Sequence, residues 1–180
     1  TVAELIVQAV HRSEKVLACA PSNTAVDNLL DRRIQAGMRV VRIGHPARIT
    51  ERLRNYSLDG LVEQHENTAV IKDMIREAEM LFRQSEKWTR AKPQRGARES
   101  MKREAKRLMG DAKRLERQAI NSILDQADVI CATTTFNPDT LADRWFELAV
   151  IDEACQSTEP GCWVPLLRSD RVVLAGDHQQ

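Results

Sequence analysis

Apolar residues along this chain recur with two different periods, and the change of period divides it. Val2, Leu5, Ile6, Ala9 and Val10 repeat at helical spacing, which predicts a helix over residues 2–12. After Ser13-Glu14-Lys15 comes an unbroken apolar run, Val16-Leu17-Ala18-Cys19-Ala20, as expected of a strand buried on both faces. Pro21 ends that strand, and Ser22, Asn23 or Thr24 can cap a helix reaching about Ala36, where Gly37 stops it. Val40-Val41-Arg42-Ile43 reads as a second strand, closed by Gly44-His45-Pro46. Strand, helix, strand with short connections predicts a βαβ unit and a parallel sheet.

From Ile49 to about Gln126 nothing reads as a strand. Val70/Ile71, Met74/Ile75, Ala78 and Leu81/Phe82 mark one amphipathic helix. Met101, Ala105, Leu108, Ala112, Leu115 and Ala119 mark another, in alternating steps of four and three that make a narrow, coiled-coil-like seam. Between them Lys92-Pro93-Gln94-Arg95-Gly96 carries both breakers and reads as the tip of a helical hairpin. The sheet pattern then resumes. Asp128–Thr135 is a strand ending in hydroxyls, and Leu148-Ala149-Val150-Ile151 is a buried strand closed by Asp152 and Glu153, with Trp145 and Phe146 packing ahead of it. Gln156-Ser157-Thr158-Glu159-Pro160 starts a helix, and Arg171-Val172-Val173-Leu174-Ala175 is one more buried strand, turned by Gly176. The expected organisation is residues 1–48 as the first part of an α/β core, 49–126 as a helical-hairpin insert and 127–180 as the rest of the core.

Composition changes this picture little, but the placement of charge changes it more. At 180 residues the chain suffices for a domain with a real core. The net charge of +1 is neutral as to partners. From Lys72 to Arg117, however, fifteen Lys/Arg stand against eight Asp/Glu, leaving twelve against eighteen elsewhere, so a segment of net +7 joins a body of net −6. A polyanion partner and a solvated helical surface both explain that asymmetry. Cys19, Cys131, Cys155 and Cys162 form no CxxC pair and no zinc-like spacing, which suits reduced structural thiols. There is no signal peptide and no run of eighteen apolar residues, so the chain is expected to be intracellular, with no membrane partner. Thr1 enters a helix without an initiator Met and Gln180 falls in a strand-end loop, as expected of a piece of a longer polypeptide.

Candidate chemistry sits at the strand ends. Ligands of open α/β sheets bind outside the carboxyl ends of the strands, and four strands deliver Pro21-Ser22-Asn23, Thr133-Thr134-Thr135, Asp152-Glu153 and Gly176-Asp177-His178-Gln179-Gln180 to one rim. Two adjacent carboxylates repel, and keeping both ionised calls for a cation or a shared proton. In nucleotide-hydrolysing enzymes one such Asp holds Mg²⁺ near the phosphates while a neighbouring Glu orients or deprotonates the attacking water.

In order and spacing these segments resemble the first RecA-like domain of superfamily 1 helicases, most of all the up-frameshift and immunoglobulin-mu-binding-protein-2 group. Ala20–Leu29 is similar to that group's motif Ia, Asp152-Glu153-Ala154-Cys155-Gln156 to its Walker B box, and Gly176–Gln180 to its motif III. Ile43-Gly44-His45-Pro46-Ala47-Arg48 resembles a stretch frequent after the group's second strand. The resemblance implies a RecA-like P-loop NTPase sheet with an inserted helical hairpin, ATP and Mg²⁺ as cofactors, and single-stranded DNA or RNA as partner. It also implies a second RecA-like domain of the same polypeptide and movement 5′→3′. By matching position, Asp152 would bind Mg²⁺, Glu153 would be the catalytic base, and Gln180 would report γ-phosphate status to the nucleic-acid site. Pro21, Ser22, Asn23, Thr133 and Thr134 would touch the backbone of the strand, where short polar groups position without reading sequence. The family's phosphate-binding loop, a Gly-rich turn ending in Gly-Lys-Thr, would lie immediately before Thr1, so that Thr1, Gly176 and Asp177 would border the nucleotide. Without that loop and the arginine fingers of the second domain, residues 1–180 alone are expected to bind ATP poorly and to hydrolyse it negligibly. A rival reading is a module that grips nucleic acid or remodels ribonucleoprotein under ATP control without unwinding.

Overall fold

The structure, a computed structural model, describes residues 2–34, 37–86 and 96–177, and the side chains of 32–34 are not part of that description. Of the hairpin tip read at 92–96, all but Gly96 lies outside the described residues, and with it the basic residues Lys87, Arg90, Lys92 and Arg95, as do Thr1 and 178–180. The chain forms two compact units, residues 1–61 with 123–180 and residues 62–122.

The first unit is built on five parallel strands: β1 (Val16–Ala20), β2 (Val40–Arg42), β3 (Val129–Thr133), β4 (Phe146–Ile151) and β5 (Ser169–Leu174). They lie side by side in the order β2-β3-β1-β4-β5. β1 therefore sits at the centre, with Val16 opposite Val129 on one side and Leu148 on the other. Alternate residues Val16, Ala18, Val129, Cys131, Leu148 and Val150 point into one core with Ile6 and Ala9 of α1 (Val2–His11) and with Val26, Leu29 and Leu30 of α2 (Asn23–Ile34). The opposite alternates Leu17, Cys19, Ile130, Ala132, Ala149 and Ile151 are buried as well. A sheet covered on both faces is what continuous apolar runs demand. Burial, with Cys131 beside it, pushes the Cys19 thiol well above its ordinary range, so this sulfur packs as a hydrophobe.

Two details differ from the sequence pattern. β5 is not buried: it is an edge strand with Leu174 61% exposed, because the described residues place a neighbour on only one of its sides. In addition, residues 49–61 belong with the sheet, since Ile49 and Leu53 enter its core and Ser57 bridges to Arg42. The pattern placed the break at residue 49 because these residues form short 3₁₀ turns, Pro46–Arg48 and Glu51–Tyr56, whose apolar spacing has no sheet period.

β2 and β3 are clamped at their amino ends by Asp128, which accepts from Arg39 Nη2 at 2.7 Å, Arg39 Nε at 3.2 Å and the Arg39 N–H at 3.0 Å. Partial burial works to raise the Asp128 pKa, but these bonds outweigh it and hold the carboxyl below its ordinary 3.8. A depressed acid stabilises the fold above its ordinary value and loses that contribution as pH falls towards the shifted one. Asp128→Asn should therefore lower the thermal midpoint at neutral pH, and the gap to the unmodified protein should close below pH 3.8. A gap that persists undiminished in acid would show that the ionised pair is not its source.

The connection between the units runs through α3 (Leu58–Gln64), and α5 (Ala97–Gln126) returns the chain to the sheet. Within the second unit α4 (Thr68–Glu86) and α5 pack through Ala78, Ala105 and Leu108, flanked by Met74, Leu81, Phe82 and Met109. The predicted seam thus holds two helices together, although Val70 is exposed. Several cations of this basic unit pair within their own helix: Arg76 with Asp73, Arg83 with Glu79, Arg107 with Glu104 and Arg114 with Asp111. Such exposed pairs contribute little to stability. They do satisfy part of the charge that the sequence leaves open to a polyanion.

Candidate functional site: the carboxyl rim of the sheet

Because all five strands run parallel, their carboxyl ends share one rim, and β1 divides it into two halves. The acidic half lies beyond β4. The Asp152 N–H donates to the Cys19 carbonyl at 2.8 Å, extending the β1–β4 ladder by one residue and holding the carboxylate at the strand tip. Asp152 Oδ1 accepts from the Glu153 N–H at 3.1 Å, while Oδ2 accepts nothing from the described residues. Glu153 adopts left-handed backbone angles, φ 52° and ψ 40°. For a residue with a Cβ this costs roughly 1–2 kcal/mol, and such outliers gather at functional sites. The turn allows the chain to reverse directly into Ala154–Gln156, and Gln156 Nε2 donates to Glu153 Oε2 at 3.2 Å.

β5 closes tightly on this turn. The Ala154 N–H donates to the Ala175 carbonyl at 2.8 Å, and the Ala175 N–H donates to the Ile151 carbonyl at 2.9 Å. Gly176 follows, where a Cβ would come within 3.1 Å of the Cys155 nitrogen and 3.2 Å of the Ala154 nitrogen. Glycine suits a strand end this close to backbone, since a side chain would require its neighbours to give by a few tenths of an ångström. Asp177 is exposed beyond it.

The polar half lies at the ends of β1, β2 and β3, around a cavity of about 590 Å³. Of the residues that the sequence singled out, Pro21, Asn23 and Thr133 line it. Ser22 instead caps α2, its Oγ accepting from the Ala25 N–H at 3.1 Å. Thr134 turns inward, only 3% exposed, its N–H donating to the Ala20 carbonyl at 3.0 Å. Thr134 carries the β1–β3 ladder one residue past β3 with its side chain buried, whereas Thr133 and Thr135, the latter in the turn that follows, line the cavity. The cavity also gains His45 and Arg48 from the turn after β2, and Asn137 and Thr140 from the loop after β3. Arg48 is exposed and pairs with no carboxylate among the described residues. The sequence carried a signal for these two, a Gly-His-Pro turn ending in a cation, but not that β2 and β3 are neighbours.

Two carboxylates in this arrangement suit a magnesium ion, which is held by one or two carboxylates together with phosphates and water. No group of three or more His, Cys, Asp or Glu placed to hold a metal ion exists among the described residues. Asp152 Oδ2 accepts no hydrogen bond from the described residues, and Glu153 is its neighbour in the chain.

A five-stranded parallel sheet with an acid pair and a polar cavity along its carboxyl edge is consistent with a RecA-like P-loop fold. A profile of the AAA domain matches residues 1–180. The chain is 39% identical over its whole length to the mouse DNA-binding protein SMUBP-2 and spans 18% of that protein. It is 36% identical to the DNA polymerase alpha-associated DNA helicase A of Schizosaccharomyces pombe, spanning 27% of it. Over 93% of its length it is 30% identical to the ATP-dependent helicase NAM7 of Saccharomyces cerevisiae, of which it covers 15%. The chain belongs to the AAA-domain family, as the first RecA-like domain of superfamily 1 helicases of the up-frameshift type.

Proposed function

We propose that this chain forms the part of an ATP-dependent helicase or translocase that couples hydrolysis to 5′→3′ movement on single-stranded DNA or RNA. The observation that carries this reading is the placement of both half-sites against one strand. The last carbonyls of β1 accept from Asp152 on one side and from Thr134 on the other. A shift at the acidic half is therefore transmitted through a single rigid element to the polar half.

When bound, Mg²⁺-ATP would supply the phosphoanhydride bond whose cleavage drives the cycle. Asp152 would hold the ion through its free Oδ2 or through water, and Glu153 would accept the proton of the attacking water. Thr1, Gly176 and Asp177 would border the phosphates. Pro21, Asn23, Thr133 and Thr135 would receive the sugar-phosphate backbone, with Arg48 adding charge. The relatives' names include both a DNA helicase and an ATP-dependent helicase, which supports the class without choosing the nucleic acid. No described helix is long and apolar enough to cross a membrane, and the reduced thiols fit an intracellular site, cytoplasmic or nuclear. A second RecA-like domain of the same polypeptide would supply the arginine fingers.

Gln180 would couple the halves. It follows the segment that β5 brings against the Glu153 turn, and it lies outside the described residues itself. One hydrogen bond to a phosphate oxygen is worth about 1.5–3 kcal/mol, enough to bias a two-state loop by one to two orders of magnitude. In the full-length polypeptide Gln180→Ala should keep nucleotide affinity within about tenfold. It should lose the stimulation of ATPase by single strands. The measurement is ATPase with and without a saturating oligonucleotide, and an unchanged stimulation ratio would remove Gln180 from this role. A protein that hydrolyses ATP on a single strand yet separates no duplex would favour the ATP-gated binding or remodelling module instead.

A further inference from the structure

Beneath the polar cavity lies a buried charge that the function above does not use. Arg42, the last residue of β2, is fully buried. Its Nε donates to Asp27 Oδ1 at 3.1 Å, its Nη1 to the carbonyl of Ile43, and its Nη2 to Asn23 Oδ1 at 2.9 Å. Asp27 Oδ2 in turn accepts from the Thr50 N–H at 3.0 Å and the Thr50 hydroxyl at 2.7 Å. Asn23 and Asp27 are one helical turn apart on α2, so both reach the same guanidinium. Gly44 makes room for it, since a Cβ there would stand 3.0 Å from Nη1.

An Asn amide ordinarily can present either end, oxygen or nitrogen, to a ligand. Here it cannot. Arg has only donors, so the atom facing Nη2 must be Oδ1, and Nδ2 with its two N–H groups is the free end. Asn23 lines the cavity, and Nδ2 finds no partner among the described residues. The Thr50 link additionally fastens the segment after Pro46–Arg48, which brings Arg48 to the same cavity.

We propose that Arg42 is the positioning residue of the strand site: it locks the Asn23 amide with its oxygen inward, so that Asn23 presents only its N–H donors to the oxygens of a bound sugar-phosphate backbone. The inference rests on the strand-binding reading given above. Lys is the informative replacement at position 42, because a single ammonium can neutralise Asp27 but lacks the fork that engages Asn23 at the same time.

The test is oligonucleotide affinity of the full-length polypeptide, measured for Arg42→Lys, Asn23→Ala and the two combined. Each single change should weaken binding by roughly ten- to a hundredfold, the worth of one hydrogen bond to a charged oxygen. The pair should be no weaker than Asn23→Ala alone, because Arg42 acts through Asn23. Additive losses, or full affinity in Arg42→Lys, would overturn the proposal, and a merely structural Arg42 predicts additivity. Should Arg42→Lys not fold, Asn23→Asp decides the question. It keeps the contact to Arg42 but turns an acceptor outward, so it should bind strands more weakly than Asn23→Ala while its thermal midpoint holds. Binding equal to or better than that of Asn23→Ala would overturn the proposal. If the unmodified polypeptide binds no single strand, the strand-site reading itself fails; if it binds and only the cycle fails, Arg42 alone is reassigned.

Discussion

Glu153→Gln in the full-length polypeptide should reduce ATP turnover by roughly 10²–10⁴, the usual contribution of a positioned general base. Nucleotide and strand binding should remain close to those of the unmodified protein. The amide has the same shape as the carboxylate, tolerates the same left-handed turn no worse, and still offers an oxygen to Gln156 Nε2. What it cannot do is accept a proton. Asp152 keeps its ladder bond to Cys19, so the proposed ion site stays in place. Steady-state ATPase together with equilibrium nucleotide binding separates the two properties. Turnover within a few-fold of normal would show that the base lies elsewhere.

Asp27→Ala should cost about 3–5 kcal/mol of stability, the penalty for leaving a buried cation without its partner. Arg42 is fully buried and Asp27 is 6% exposed, so water cannot take the place of the lost carboxylate. Thr50 would lose the acceptor of both its N–H and its hydroxyl in the same step. Against the roughly 5–15 kcal/mol that holds a typical domain together, this is a large fraction. Urea denaturation reads it directly. The combined Asp27→Leu/Arg42→Met variant should recover most of the loss, since apolar replacement of a whole buried pair is often near neutral. An unchanged midpoint in Asp27→Ala would mean that the guanidinium is hydrated or repacked. The double variant should nevertheless bind strands poorly, because Asn23 is then free to turn its amide.

These two expectations draw on different levels of the molecule. The five apolar runs could be read as strands, and Asp152, Glu153 and Gly176 assigned to a rim, without coordinates. Hydrophobic periodicity and strand-end chemistry are local properties, carried by residues adjacent in the chain. The αα seam was legible for the same reason, down to Ala78, Ala105 and Leu108. The strand order β2-β3-β1-β4-β5 was not, because pairing leaves no periodic trace, and the central strand β1 pairs on both sides with residues more than a hundred positions away. That order decides which loops meet, and so it decides that His45 and Arg48 share a cavity with Thr133 and Asn137.

Thr133 and Thr134 show the limit at single-residue scale: the sequence made both candidates, and the turn after β3 buried Thr134 while it left Thr133 and Thr135 on the cavity. Arg42 shows it most sharply. In the sequence it is a cation within an apolar run, and its neighbours along the chain say nothing of Asp27, Asn23 or Thr50. Chain patterning determined the class of fold and the acid pair, because those depend on short-range order. Tertiary structure alone decided which polar groups face the cavity and which buried charge lies beneath them, because burial and hydrogen-bond partners are properties of residues brought together across the sheet.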